Sequence, residues 1–137
     1  MDSFTIKNLE LFTSPHQGAI TLIDIVDKTK SPMGSRMIRR WLALPLKDSK
    51  EISDRHKIVK ELVVNDFSSE KLGEYISIVG DLERLISKVA TNRINPRQCV
   101  QLKKSLLALQ PIKNICEDSN EKLLNEIGAK IDLCTTV

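Results

Sequence analysis

Residues 31–46, SPMGSRMIRRWLALPL, place a helix start, a helix body and a helix stop in one stretch. Ser31 is a good N-cap, and Pro32 suits the first helical position, where no N–H is needed. Met33, Met37, Trp41 and Leu44, with Ile38 and Leu42 beside them, recur at helical spacing and predict an apolar face. Arg36, Arg39 and Arg40 fall towards the other side. Pro45 ends the helix at or just before Leu44. Trp41 is the only tryptophan of the chain and is expected to be a buried anchor, since a ring of that size usually fills a core. The stretch demands a helix but carries no chemistry of its own.

The same punctuation recurs along the chain. Asp2 or Ser3 caps a short helix in residues 1–12, with an extended segment as the alternative because Phe4 and Ile6 alternate with polar neighbours. Residues 13–18, TSPHQG, read as a loop, with His16 solvated. Residues 21–28 predict a short helix with Leu22, Ile23, Ile25 and Val26 mostly inward. Asp48 with Glu51 three residues on is a capping-box pattern. It opens a helix to about Asn65 with Ile52, Arg55 or His56, Val59, Leu62 and Val63 in its stripe. Ser68 or Ser69 caps the next helix, which buries Leu72, Tyr75, Ile76 and Val79. Gly80 breaks it and Asp81 recaps at once, with Leu82, Leu85, Ile86 and Val89 on one side of a helix ending near Asn92. Asn95 and Pro96 begin another, whose stripe is Cys99, Leu102, Leu106 and Leu109, with Val100 and Leu107 alongside. Pro111 is expected to interrupt it and Ser119 to start the last helix, carried by Leu123, Leu124, Ile127 and Ile131. The expected fold is all-α, an orthogonal or bundle-like array of seven or eight short helices forming a single helical domain over residues 1–137.

Bulk properties agree. The chain has 137 residues, 41% of them hydrophobic and 28% charged, enough for one domain with a real core. Aromatics are only 4%, so Leu, Ile and Val must fill the interior. No apolar run approaches the roughly 18 residues a membrane span needs, and the N-terminus lacks the pattern of a secretory signal. Cys99, Cys116 and Cys134 form no CxxC pair and read as reduced, mostly buried thiols. Charge is uneven: residues 28–60 carry ten Lys or Arg against three acids, residues 61–83 one Lys against six acids, and residues 88–113 six basic residues and no acid. Such blocks suit phosphate or an acidic protein face, or pair with each other across a surface.

Chemical motifs are missing. The five glycines are isolated, so no phosphate-cradling loop is written, and neither HExxH nor a Cys/His cluster at zinc spacing occurs. Asp24 and Asp27 read as solvated surface, and His56 has no titratable neighbour spaced to orient it. Arg84 is expected to tie neighbouring helices through a carboxylate or a free carbonyl. No catalytic, cofactor or metal residue is assigned.

At the level of ordered motifs, the chain resembles the core domain, domain III, of MutS-type DNA mismatch repair proteins. Asp2, Thr5 and Asn8-Leu9-Glu10-Leu11 are similar to that family's DxxTxxNLEL opening. Thr21-Leu22, Asp27, Thr29, Ser31-Pro32-Met33-Gly34, Arg36, Trp41-Leu42 and Pro45-Leu46 are similar to its longest block, with Ser31 in place of the common Thr. Gly80-Asp81-Leu82-Glu83-Arg84-Leu85 matches its GDLERL. Arg93 and Asn95-Pro96-Arg97 match its R.NPRDL, with Gln98-Cys99 replacing Asp-Leu, and Lys88 stands where Arg is usual. The resemblance implies a parent that is cytoplasmic and bacterial, binds mismatched duplex DNA as a dimer, uses ATP and Mg, and recruits a MutL-like factor. It implies that this chain is the first half of the helical core, preceding the clamp insertion. The mismatch reader would then lie before Met1, and the clamp and ATPase after Val137. The implied role is non-catalytic: a scaffold packed against the remaining domains of its parent, linking DNA-binding parts to the ATPase. Pro32, Gly34, Trp41, Pro45, Asp81, Arg84 and Pro96 are the structural positions. Arg36, Arg39, Arg40, Arg93 and Arg97 are candidates for weak phosphate or partner contact. The competing reading is an autonomous helical module using the basic blocks 28–60 and 88–113 for nucleic acid or an acidic protein partner.

Overall fold

The structure is a computed structural model that describes residues 2–133. Those residues form eight α-helices and no strand. The chain divides into two compact units, Met1–Lys47 and Asp48–Val137.

In the first unit, α1 (Ser3–Asn8) is capped by Asp2, whose carboxylate accepts from Thr5 N–H at 2.7 Å. It ends with Glu10 at φ 48°, the Leu11 N–H returning to Ile6 O and the Glu10 N–H to Lys7 O. This is the left-handed helix ending usually given to glycine. Helix α2 (Leu22–Val26) starts at Thr21, whose N–H and hydroxyl both donate to Asp24 Oδ2. Ile23 N–H donates to Leu11 O, and Leu11 and Ile23 are the buried apolar residues of this unit. Helix α3 (Pro32–Ala43) has the expected start: Ser31 Oγ accepts from Gly34 N–H at 3.1 Å. It stops at Ala43, two residues before Pro45.

Trp41 is not the buried anchor the spacing suggested. It is 46% exposed, and Met37 and Leu44 on its stripe are exposed as well. The rotation of α3 is set instead by polar contacts on the adjoining side. Asp27 accepts from the Ser35 hydroxyl, and a Cβ on Gly34 would stand 3.1 Å from Thr29 Cβ. Met33, Gly34, Ser35, Arg36, Ile38 and Leu42 are partly sheltered, and Met37, Trp41 and Leu44 face outward.

In the second unit, α4 (Ser49–Val64) is capped by Asp48, which accepts from Lys50 and Glu51 N–H. Its sheltered side holds Ile52, Ile58 and Leu62, while Val59 and Val63 stay exposed. Asn65 alone separates α4 from α5 (Asp66–Val79), and its side chain caps α5 by accepting from Ser68 N–H. The helix thus begins two to three residues before Ser68 and Ser69, with Asn65 as the cap. Asp81 caps α6 (Leu82–Ala90), which closes through Asn92 at φ 53°, with Arg93 N–H bonded to Lys88 O.

The longest element is α7 (Pro96–Glu117), 22 residues with a capping box between Asn95 and Gln98. Pro111 lies inside it and does not interrupt it. A proline there removes one helix hydrogen bond and costs about 3 kcal/mol. Burial of Ala108, Ile112 and Cys116 on either side of it offsets that cost. Helix α8 (Lys122–Ala129) is capped by Glu121 rather than Ser119, whose hydroxyl instead accepts from Glu121 N–H. Helices α5 and α7 form the most extensive pair, followed by α7 and α8. The accessible surface of the chain is 10291 Å². Two globular units of these lengths, even wholly separate, would show about 8,600 Å². Much apolar surface is left uncovered.

Candidate functional site

The arginines picked out as contact candidates fall in both units. Arg36 is half-buried, Arg40 is exposed, and Arg39 stacks over the Phe12 ring at 5.9 Å. Its charge also helps hold the Asp24 and Asp27 carboxyls below the usual range, after the larger effect of the hydroxyls of Thr21 and Ser35. Arg39 thus has neighbours within its own unit and stays exposed. Arg93 and Arg97 are exposed on either side of the α7 cap. Arg84 does not bridge helices. It is 75% exposed, and its ion-pair partner among the described residues is Asp81, three residues back, at 3.4 Å. Such a pair is worth little in water. His16 and His56 are exposed, and among the described residues no three His, Cys, Asp or Glu side chains gather as a metal set. Cys99 is exposed, contrary to expectation, while Cys116 is buried and its thiol pushed up by burial; Cys134 lies outside the described residues. Among the described residues no helix is long and apolar enough to cross a membrane.

Four of the glycines serve turns or close contacts. Gly18 sits in a turn at φ 79°, Gly34 lies against Thr29, Gly80 forms an elbow, and Gly128 allows α8 to touch α7. None belongs to a loop that could wrap a phosphate.

What the structure does assemble centres on α7. Its sheltered side runs through Leu102, Ser105, Ala108, Leu109, Ile112 and Cys116. Its opposite side leaves Val100, Leu106 and Leu107 exposed at 54%, 46% and 64%. Lys103 and Lys104 stand among them, also exposed. The expected stripe of Cys99, Leu102, Leu106 and Leu109 thus straddles the boundary between the two sides. Towards one end, Gly128 packs so closely that a Cβ there would stand 2.9 Å from Cys116 Cβ. Lys113 Nζ donates to Ile131 O at 2.9 Å, and Asn125 Nδ2 donates to Glu117 O and Ser119 O. Towards the other end, Gln101 Nε2 donates to Ile78 O at 3.1 Å and the Ser105 hydroxyl donates to Val79 O. Ser105 is wholly buried. Sequence reasoning missed Ser105, Gln101 and Gly128. The available signal was the line Ser105, Ala108, Ile112, Cys116, small or apolar residues at helical spacing that scoring by size passes over.

With this geometry in view, the comparisons with known proteins are specific. A DNA mismatch repair protein MutS of Bacteroides thetaiotaomicron is 42% identical over all 137 residues. Those of Christiangramia forsetii and Flavobacterium psychrophilum are each 48% identical over 134 residues, 98% of the chain. The chain spans about 16% of the length of these relatives. The family model described as MutS domain III matches residues 4–136, so the chain belongs to the MutS domain III family.

Proposed function

We propose that this chain is a non-catalytic core element of a mismatch repair ATPase, linking the parts that hold mismatched duplex DNA to the part that binds and hydrolyses ATP with Mg. The observation that carries the reading is the two-sidedness of α7. An exposed apolar patch rimmed by polar residues marks a surface that another element covers. Here one side is covered by helices of its own unit while Val100, Leu106 and Leu107 are bare. A further layer from the remaining domains of the parent suits that face. ATP, Mg, dimer formation, mismatched DNA and a MutL-like factor belong in this proposal to the parent in the bacterial cytoplasm.

The test is made in a full-length relative carrying Val100→Glu and Leu107→Glu at the corresponding positions. Mismatch-stimulated ATPase activity should fall sharply, while the 137-residue chain with the same changes should melt within about 0.5 kcal/mol of the parent sequence, as surface substitutions do. Unchanged ATPase coupling in the full-length protein would remove the linking role. The acid-free run 88–113, with Arg93, Arg97, Lys103 and Lys104 exposed, supports the second reading of an autonomous module for nucleic acid or an acidic partner. Tight duplex binding by the 137-residue chain alone, weakening steeply with salt, would favour it.

A further inference from the structure

We propose that the turn between α5 and α6 is a releasable joint, latched by α7 through Gln101 and Ser105. Only Gly80 and Asp81 separate the two helices. Gly80 sits at φ 64° and ψ −142°, a conformation that essentially only glycine holds without strain. The last carbonyls of a helix lack partners within it. At the end of α5 those of Ile78 and Val79 are taken by Gln101 and Ser105, two side chains one turn apart on α7. A Cβ on Gly80 would come within 3.3 Å of Gln101 Nε2, so the turn and the latch touch. The same helix that packs along α5 therefore also fixes the direction in which the chain leaves it.

The two hydrogen bonds of the latch can be exchanged without stranding a donor. The Ser105 hydroxyl has one proton and two acceptors, Val79 O on α5 and Gln101 O on its own helix at 2.9 Å. When the last carbonyls of α5 turn away, with the body of α5 still packed on α7, the buried hydroxyl keeps a partner by bonding only to Gln101 O, a habit of serine in helices. Gln101 is exposed, so its amide passes to water. Neither donor is stranded in either arrangement, which is what a two-state element requires. Opening re-aims α6 and with it the exposed cations Arg84 and Lys88.

Hydrogen exchange on the full 137-residue chain tests the latch. Gln101→Ala and Ser105→Ala should each speed exchange of the α6 amides 85–90 by about fivefold, the factor that one net hydrogen bond represents. Amides 124–129 of α8 should keep their protection. Gln101→Glu should open the joint more than Gln101→Ala at neutral pH, because a carboxylate faces the α5 carbonyls and donates nothing. Its α6 protection factors should return once the carboxyl is protonated. Gln101 lies at the surface, so its two variants keep the core. No change in α6, equal acceleration of α6 and α8, or Gln101→Glu behaving like the parent sequence at neutral pH would each overturn the joint.

Discussion

Residues 2–47 bury two apolar side chains, Leu11 and Ile23, whereas residues 48–133 bury seven, from Leu72 to Leu124. The first unit holds its shape with short polar links: Asp2 to Thr5, Asp24 to Thr21, Asp27 to Thr29 and Ser35, and Ser31 to Gly34. The second holds its shape with apolar contact between α5, α7 and α8, and uses polar groups to finish helix ends. The lesson is that one chain can be specified by two chemistries, one sensitive to protonation and the other to volume.

The sharpest attempt to break that contrast is Ile112→Ala. Truncating a buried side chain in the larger core of the described residues should cost about 3 kcal/mol, enough to unfold the second unit if its stability is ordinary. Urea denaturation followed by the single tyrosine, Tyr75, reads this unit. Gly128→Ala adds a carbon 2.9 Å from Cys116 Cβ and 3.1 Å from Glu117 N, so it should cost about 1–3 kcal/mol by overpacking. A neutral Gly128→Ala in thermal melting would mean that α8 docks loosely. In the first unit the largest truncation, Trp41→Ala, should cost less than about 2 kcal/mol, because the ring is only half covered. Its fluorescence should be readily quenched by acrylamide. If Trp41→Ala proved as damaging as Ile112→Ala, the contrast would fail.

The pH response is smaller and separates the units by sign. Asp2, Asp24 and Asp27 lie below the ordinary carboxylate range, held there mainly by the Thr5 N–H, the Thr21 hydroxyl and the Ser35 hydroxyl. A depressed carboxyl adds stability above about pH 4 and loses it as the pH falls through the lower folded value. Lys57 and Lys71 are raised by Asp54 and Glu74, so their contribution is present below about pH 10 and is lost as the pH rises beyond it. Tryptophan emission should therefore shift first in acid, while the tyrosine signal from the second unit persists. Simultaneous loss of both signals in acid would merge the two. Least of all, Glu10→Gly should raise the stability of the first unit by up to about 1 kcal/mol, by relieving a left-handed residue. A fall in its melting temperature would show that the Glu10 side chain contributes more than its backbone costs.

Local chemistry was the legible part of the sequence. The caps at Ser31, Asp48, Asp81 and Asn95 are readable, and Asp2 is one of two candidates, because a cap is decided by a residue and the three after it. Faces were harder. Periodicity counts apolar residues around a helix but does not say which flank a neighbour covers, so Trp41 and Leu106 were placed inward and Ser105 was not noticed. Pro111 was misread for the same reason, since the packing that keeps α7 continuous comes from α5 and α8, remote in sequence. The candidate site, a latch of one hydroxyl and one amide on two carbonyls, has no sequence signature beyond the glycine that marks its turn.

The unbroken length of α7 also governs how such a chain can change in evolution. Ser105 and Cys116 lie eleven positions apart, close to three helical turns, which is why one flank serves both the α5 latch and the α8 contact. One residue inserted between them would rotate everything beyond by about 100° and advance it by about 1.5 Å. Either the latch or the Gly128 contact would then lose its register. The turn at residues 91–95, bonded among the described residues to the adjoining ends of α6 and α7, has no such twin obligation. Gains and losses of single residues should accumulate there, while the interval between Ser105 and Cys116 stays constant in length even where its sequence drifts.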